Sequence, residues 1–465
     1  MDATSLIQLM TVGAKFFQEE QALIQRRQQQ LRLHQEDQED PDDPQDAGDL
    51  QDPQDPQDPQ DPERPRRPRR LGRPRRRRRW WVKSWMTVDR RLQYGHFDQL
   101  LSELRLEDST SFANFVRLPV EIFDELLHRI QPYIEKQVTR YRVPISPGVR
   151  LAATLRHLAT GEGYNSLLYN FRVSKSSLCH IVPEVCQAIV SVLKDEVFSF
   201  PTTPQEWRAI ADEFHQKWNV PHACGALDGK HVRIRKPDNT GSEYHNYKGY
   251  FSIVLMALVD AQYRFIWIDT GGNGSMSDSQ IFNASQLSEL LNTDTLGLPD
   301  SEPLPNSDTV MPFFMLGDDA FALRKTMMKP YGIRNLDREQ RIANYRISRG
   351  RRVVENAFGI LTARNQILLK SIMQRPEVVR DMIEAMVCIH NLLRRRNPVM
   401  NVSLVDGEDD EHNIIPGEWR NQHQLDDGMP ARGHRARVEG QQQREALKDY
   451  FNSPAGAVSW QDRMI

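Results

Sequence analysis

A tandem Gln-Asp-Pro repeat over Gln51–Pro62 restricts this chain more than any other feature. Proline at every third position removes backbone donors and the recurring carboxylates repel, so no packed core can form there. The repeat lies in a longer stretch, Gln35–Glu63, that carries acids and no basic residue, whereas Arg64–Arg79 (RPRRPRRLGRPRRRRR) carries no acid. The balance of 61 Lys plus Arg against 63 Asp plus Glu, a formal net charge of −2, therefore hides a strong segregation. Basic runs of this kind serve nuclear import or contact nucleic-acid phosphates, and the plain alternative is a solvated linker. A core has to begin after them.

Trp80 opens the ordered part. Up to Pro201 the apolar residues recur at helical spacing, as in Phe115-Leu118-Ile122-Leu126-Ile130 and Leu151-Leu155-Leu158. From Trp207 to about Leu393, strand-like runs alternate with helical ones, and after Arg396 the chain turns polar. The expected organisation is a disordered N-terminal tail (1–79), an all-α domain containing a helix-turn-helix (80–205), an α/β catalytic domain (206–396) and a disordered C-terminal tail (397–465). Within the first tail, Leu6 to Leu23 shows a weak helical pattern. A hydrophobic content of 39% suits cores diluted by polar tails. No apolar run approaches the ~18 residues of a membrane span, and the N-terminus lacks the layout of a secretory signal. Four cysteines without CxxC spacing point to a soluble protein of a reducing compartment.

Within the helical domain, Gly163–Phe171 gives a first helix, Arg172-Val173 a turn, and Ser174–Val182 a second helix with Ser174 as its N-cap. Ser174, Lys175, Ser177 and His180 fall on its early turns, the part of a recognition helix that meets base edges. Pro183 ends this helix or starts the next. An ordinary packed helix pair would look the same.

The α/β part carries three well-separated acids. Cys224–Ile234 reads as a strand holding Asp228, with Gly229 beside it allowing close approach. Phe251–Val259 and Arg264–Asp269 read as strands joined by a hairpin at Asp260–Tyr263. Ser277 and Gln280 form a capping box opening a helix, a buried strand Pro312–Leu316 ends at Gly317-Asp318-Asp319, and Arg346–Leu361 reads as a helix. That order suits a ribonuclease H-like sheet with Asp228 and Asp318 on adjacent strands. Glu355, about 100° around its helix from Val354, could turn towards them. Three such carboxylates would repel unless cations joined them, and an all-oxygen set favours Mg2+ or Mn2+. The plain readings are a turn at Asp228-Gly229, a helix cap at Asp318 or Asp319, and a Glu355–Arg351 pair. A zinc hydrolase is a poor alternative, since no His/Cys set has ligand spacing.

Four segments carry a resemblance: Arg150–Ile189, Gly225–Phe265, Gly317–Arg324 (GDDAFALR) and Asn344–Leu361 (NYRISRGRRVVENAFGIL). From about Trp80 to Arg395 the chain resembles the PIF/Harbinger family of DDE transposases and the nuclease-like proteins derived from them. The resemblance implies a ribonuclease H-like domain cutting DNA, and joining it, with metal-ligating catalytic residues at Asp228, Asp318 and Glu355. Asp278, in SMSDSQIF, matches a recurrent family acid with a supporting role, or with capping as the plain reading. His231, Arg233, Lys236 and Lys248, near the first acid, are candidate phosphate contacts. The resemblance further implies Mg2+ (or Mn2+) as cofactor, DNA as partner, and a separate Myb/SANT-like DNA-binding protein. It also implies a nuclear location, with the cytoplasm as a second compartment; a homo-oligomer is compatible with it and a membrane partner is not expected. The alternative is a domesticated transposase that binds DNA or protein without cutting. Gly350 stands where relatives usually have Ala, at a helix cost of roughly 1 kcal/mol.

Overall fold

The computed structural model describes residues 82–139, 143–332, 334–397, 405–409, 411–422 and 438–465. The Gln-Asp-Pro repeat, the basic run and the weak pattern from Leu6 to Leu23 lie outside the described residues. The chain divides into two compact units. One comprises residues 1–91 with 139–143; its described part holds a 3-10 turn, Ser84–Met86, and the beginning of helix Val88–Tyr94. The other comprises residues 92–138 and 144–465.

The second unit opens helically, with α1 (Val120–Ile134), α2 (Pro147–Thr160), α3 (Tyr164–Phe171) and α4 (Lys175–Val197). The apolar stripe starting at Phe115 is split between two helices. Arg117 turns left-handed (φ 61°) and Pro119 precedes α1, so the chain breaks after Val116. Conversely, α4 runs straight through Pro183, where the sequence suggested a boundary. Leu178, Ile181 and Val182 before the proline, and Val185, Ile189 and Leu193 after it, keep one face buried throughout.

α5 (Pro204–Trp218), capped reciprocally by Thr203 and Glu206, leads into the sheet. Strands β1 (Ala223–Arg233), β2 (Ser252–Val259) and β3 (Phe265–Asn273) form an antiparallel meander. On the other side of β1, β4 (Phe314–Leu316) and then β5 (Met327–Met328) run parallel to it, giving the order β3-β2-β1-β4-β5. This mixed α/β arrangement is consistent with a ribonuclease H-like sheet. Asp260 closes the expected hairpin by accepting from the N–H groups of Gln262 and Arg264 (both 2.9 Å).

Both faces of the sheet are covered. On one, α5 and α6 (Asp278–Ala284) bring Trp207, Ile281 and Phe282 against Leu227, Met256 and Met315. On the other lie α7 (Arg338–Arg364) and α8 (Pro376–Arg396), with Phe358 packed on Phe265 at 5.8 Å. Helix α7 begins two turns ahead of Arg346, because Asp337 and Gln340 form its capping box. Gly350 is less a weakness than a fit: a Cβ there would come within 2.7 Å of Leu316 on β4. Helix α4 has the length and apolarity of a membrane span, and it packs against α1, α2 and α8. The helical segment and the sheet thus belong to one unit, and residue 205 marks a change of secondary structure.

Residues 438–465 depart from the expected disorder after residue 397. Helix α9 (Val438–Asn452) packs on α7 with Leu447 and Phe451 fully buried. The guanidinium of Arg346 lies 4.4 Å from the Phe451 ring centre and donates to Gly456 O (3.1 Å) and Gln461 Oε1 (3.0 Å). Average polarity concealed Leu447, Tyr450 and Phe451, which share one helix face by i, i+3, i+4 spacing. Of the four cysteines, Cys179 is exposed on α4, while Cys186, Cys224 and Cys388 are buried, their thiol pKa values raised by burial. Phe451→Ala should cost about 3–5 kcal/mol of stability in urea unfolding; a change under about 0.5 kcal/mol, the size of a surface substitution, would show that α9 is not docked.

Candidate active site

Sheet register sets the first two acids. Ala226 of β1 pairs with Leu316 of β4 in parallel, so two residues further along Asp228 comes beside Asp318, just past the end of β4. Asp318 is fixed in the turn by accepting the Ala320 N–H (2.9 Å). Its neighbour Asp319 is exposed, 4.0 Å from Lys329, and does not share this position. Asp228 accepts the N–H of Gly229 (2.8 Å).

Asp278 comes from the opposite direction. It is the first residue of α6, and the cap is Ser277, bonded reciprocally with Gln280. Freed from capping, Asp278 is 4% exposed and turned against Gly229, where any Cβ would come within 2.5 Å of its Oδ1. That oxygen is buried and has no hydrogen-bond partner. Glu355 lies on α7 beside the fully buried Val354, its side chain 24% exposed, in keeping with its angular offset from the core stripe.

The electrostatics tie these groups together. Burial raises the Asp228 carboxyl well above its ordinary range, and Asp318, Asp278 and Glu355 add to the shift while Arg351 opposes it. Asp318 is raised by burial, against the Ala320 N–H, Arg351 and Lys329. Asp278 is pushed up to about 6 by burial and by Asp318, with Lys248 opposing. Glu355 is engaged by cations: Arg351 reaches Oε1 at 2.6 Å, the pairing that the plain reading allowed, and Arg420 lies 3.6 Å from Oε2. Among the described residues, no three acid, His or Cys side chains stand at metal-ligating spacing. The donor set nevertheless fits a hard divalent cation. It is all oxygen, its members repel, and Asp278 Oδ1 is a buried acceptor with nothing to accept from.

Other candidates divide. His231 is buried and bonded to Ser252 Oγ (2.9 Å). Arg233, Lys236 and Lys248 lie over the rings of Tyr250, Phe251 and Tyr247, along the connection from β1 to β2. In the helical pair, α3 and α4 are joined by a turn in which Arg172 is left-handed (φ 50°), and Ser174 caps α4 by accepting the Ser177 N–H (3.1 Å). The hydroxyls of Ser174 and Ser177 bond each other at 2.8 Å, whereas Lys175 and His180 are exposed. Sequence reasoning passed over Lys329 and Arg420. Lys329 directly follows β5, and Arg420 lies in the polar C-terminal stretch, where nothing local marks it.

Residues 227–391 match the family described as DDE superfamily endonuclease, a stretch that includes Asp228, Asp278, Asp318 and Glu355. The chain is 26% identical over 244 residues to "Putative nuclease HARBI1" of Xenopus laevis, covering 52% of this chain and 66% of that protein. The Bos taurus protein of the same name is 25% identical over 306 residues, covering 65% of this chain and 83% of its own. "Protein ALP1-like" of Arabidopsis thaliana is 25% identical over 255 residues, 54% of this chain and 61% of that protein. No solved structure matches significantly.

The raised value of Asp278 has a consequence for stability. A carboxyl whose folded pKa exceeds its unfolded one, near 3.9, favours the fold when protonated. That contribution is complete below about pH 4 and is lost as the pH rises through about 6. In metal-free buffer, Asp278→Asn should flatten the fall in melting temperature between about pH 4 and 7. Parallel profiles for the two proteins would show that Asp278 does not titrate in a buried, acidic setting.

Proposed function

Since the chain belongs to the Harbinger-derived DDE nuclease family, we propose that it is a metal-dependent DNA endonuclease that cleaves phosphodiester bonds, and joins them in a transposase-like second step. The observation that carries this reading is the meeting of Asp228 and Asp318 by parallel register, with Asp278 and Glu355 acting on the same carboxyl.

Asp228, Asp318 and Glu355 would hold the metal, Mg2+ or Mn2+, and Asp278 would support them. One or two such ions would polarise the scissile phosphate and acidify the attacking water, as in two-metal phosphoryl transfer. The chain's own residues prepare the site. The Ala320 N–H holds Asp318 in place, and Gly229 leaves room for Asp278 at the back of β1. Lys248, Arg233 and Lys236 supply cations for the phosphates on either side of the cut. The exposed Lys175 and His180 on α4 would meet the duplex, and the cap formed by Ser174 and Ser177 would keep the start of that helix rigid. The basic run Arg64–Arg79 would direct the protein to the nucleus, and a Myb/SANT-like protein would deliver it to its DNA ends.

A second reading, a captured transposase that binds without cutting, is favoured by the engagement of Glu355 with Arg351 and Arg420. Nicking assays separate the two. With Mg2+ the protein should nick plasmid DNA, and EDTA should abolish this; binding under both conditions with no nicking in either favours the second reading. Asp228→Asn and Glu355→Gln should each lower nicking by more than about 100-fold, beyond the 10–100-fold that even outer partners of a metal ligand are worth. Nicking near the parent rate in a folded variant would remove that residue from the catalytic set. Lys175→Ala should weaken DNA binding and reduce the slope of log K against log salt by about 0.9. An unchanged slope would take the start of α4 off the DNA.

A further inference from the structure

Residues 405–409 and 411–420 form a strap across α7 beside Glu355. Its centre is an ion pair. The fully buried carboxylate of Asp406 accepts from Arg420 Nε (2.7 Å) and Nη2 (2.5 Å), and also from the Gly417 N–H (2.9 Å). Arg420 held in this way places Nη2 3.6 Å from Glu355 Oε2. The strap is fastened to α7 on both sides of that glutamate. Asn356 Oδ1 accepts the Asp406 N–H and Trp419 Nε1–H, both at 3.1 Å. One turn on, the Trp419 indole lies against Gly359, where a Cβ would come within 2.6 Å of it. Nearly two turns back, Glu408 takes Arg349 Nε and Nη2 at 2.7 and 2.8 Å.

We propose that Arg420, fixed by Asp406, is a positioning residue for Glu355, and that the strap is a working wall of the site. This rests on the nuclease reading and deepens it at the glutamate. A glutamate on a helix surface has several rotamers, and choosing one costs entropy each time it is used. A fixed guanidinium 3.6 Å from Oε2, at ion-pair distance, narrows that choice in advance. Because Asp406 cancels its charge, Arg420 supplies direction without adding net positive charge to a place meant for a divalent cation. Arg351 holds the other oxygen from within the helix, so the two guanidiniums fix both ends of one carboxylate. Outer partners of this kind are typically worth 10–100-fold in metal affinity or activity.

The test is titration of the full chain with Mn2+, followed by the loss of the free-ion electron paramagnetic resonance signal, with DNA nicking measured alongside. One variant, Asp406→Asn with Arg420→Met, removes the ion pair and the donor together, leaving no buried charge unpaired. The other, Gly359→Ala, drives the Trp419 ring off α7 without touching an acid, while alanine is the better helix former. Each should weaken Mn2+ binding by about 10–100-fold with an unchanged circular dichroism spectrum. Affinities within about twofold of the parent, well below that range, would overturn the positioning role. Should the double variant fail to fold, Gly359→Ala decides by the same criterion. A parent protein that binds no Mn2+ would refute the metal-nuclease reading itself, and the positioning role with it.

Discussion

Repulsion among carboxylates gathered at the central strand of the sheet is the constraint around which this molecule is arranged. Asp278, Asp318 and Glu355 all bear on the Asp228 carboxyl, in surroundings dry enough that burial is the leading cause of each aspartate's shift. Charges of one sign cannot be packed this way without compensation. The fold supplies it from separate places: Arg351 from α7, Lys329 from the chain after β5, and Lys248 from the connection between β1 and β2. Such dispersed compensation keeps the acids together.

Much of this was legible in the sequence, for identifiable reasons. Strand runs bounded by turn residues located β1 to β4, and parallel pairing then made the meeting of Asp228 and Asp318 a matter of register. The offset of Glu355 from Val354 followed from helix geometry alone. What could not be read depends on partners distant in sequence. Pro183 looked like a boundary because the helices that bury α4 around it come from other parts of the chain. Ser277 was legible as the cap, but not that Gly229, far earlier, makes space for the Asp278 carboxylate. Residues 438–465 looked unstructured on composition, whereas a few apolar side chains suffice when α7 offers a surface and Arg346 a stacking partner.

The helical pair and the sheet are also bound by specific contacts. In the connection from α7 to α8, Lys370 Nζ donates to Thr160 O (2.6 Å) at the end of α2, and Gln374 Nε2 donates to Tyr164 Oη (2.9 Å) on α3. The long α4 packs along α8. The start of α4, proposed above to meet DNA, is thereby fixed relative to the acids. On the proposed reading, the span from the start of α4 to the acids would be set by the fold itself.

The distribution of sulfur has a chemical corollary. Three of the four thiols lie inside the protein, where the thiolate is suppressed and reagents have no entry. Cys179 is the exception, one residue before the exposed His180 and within the first turns of α4. Alkylating probes or a photo-crosslinker would therefore attach at a single place on the folded chain. That place is the helix end proposed to face nucleic acid, so a bound duplex would shield it from modification.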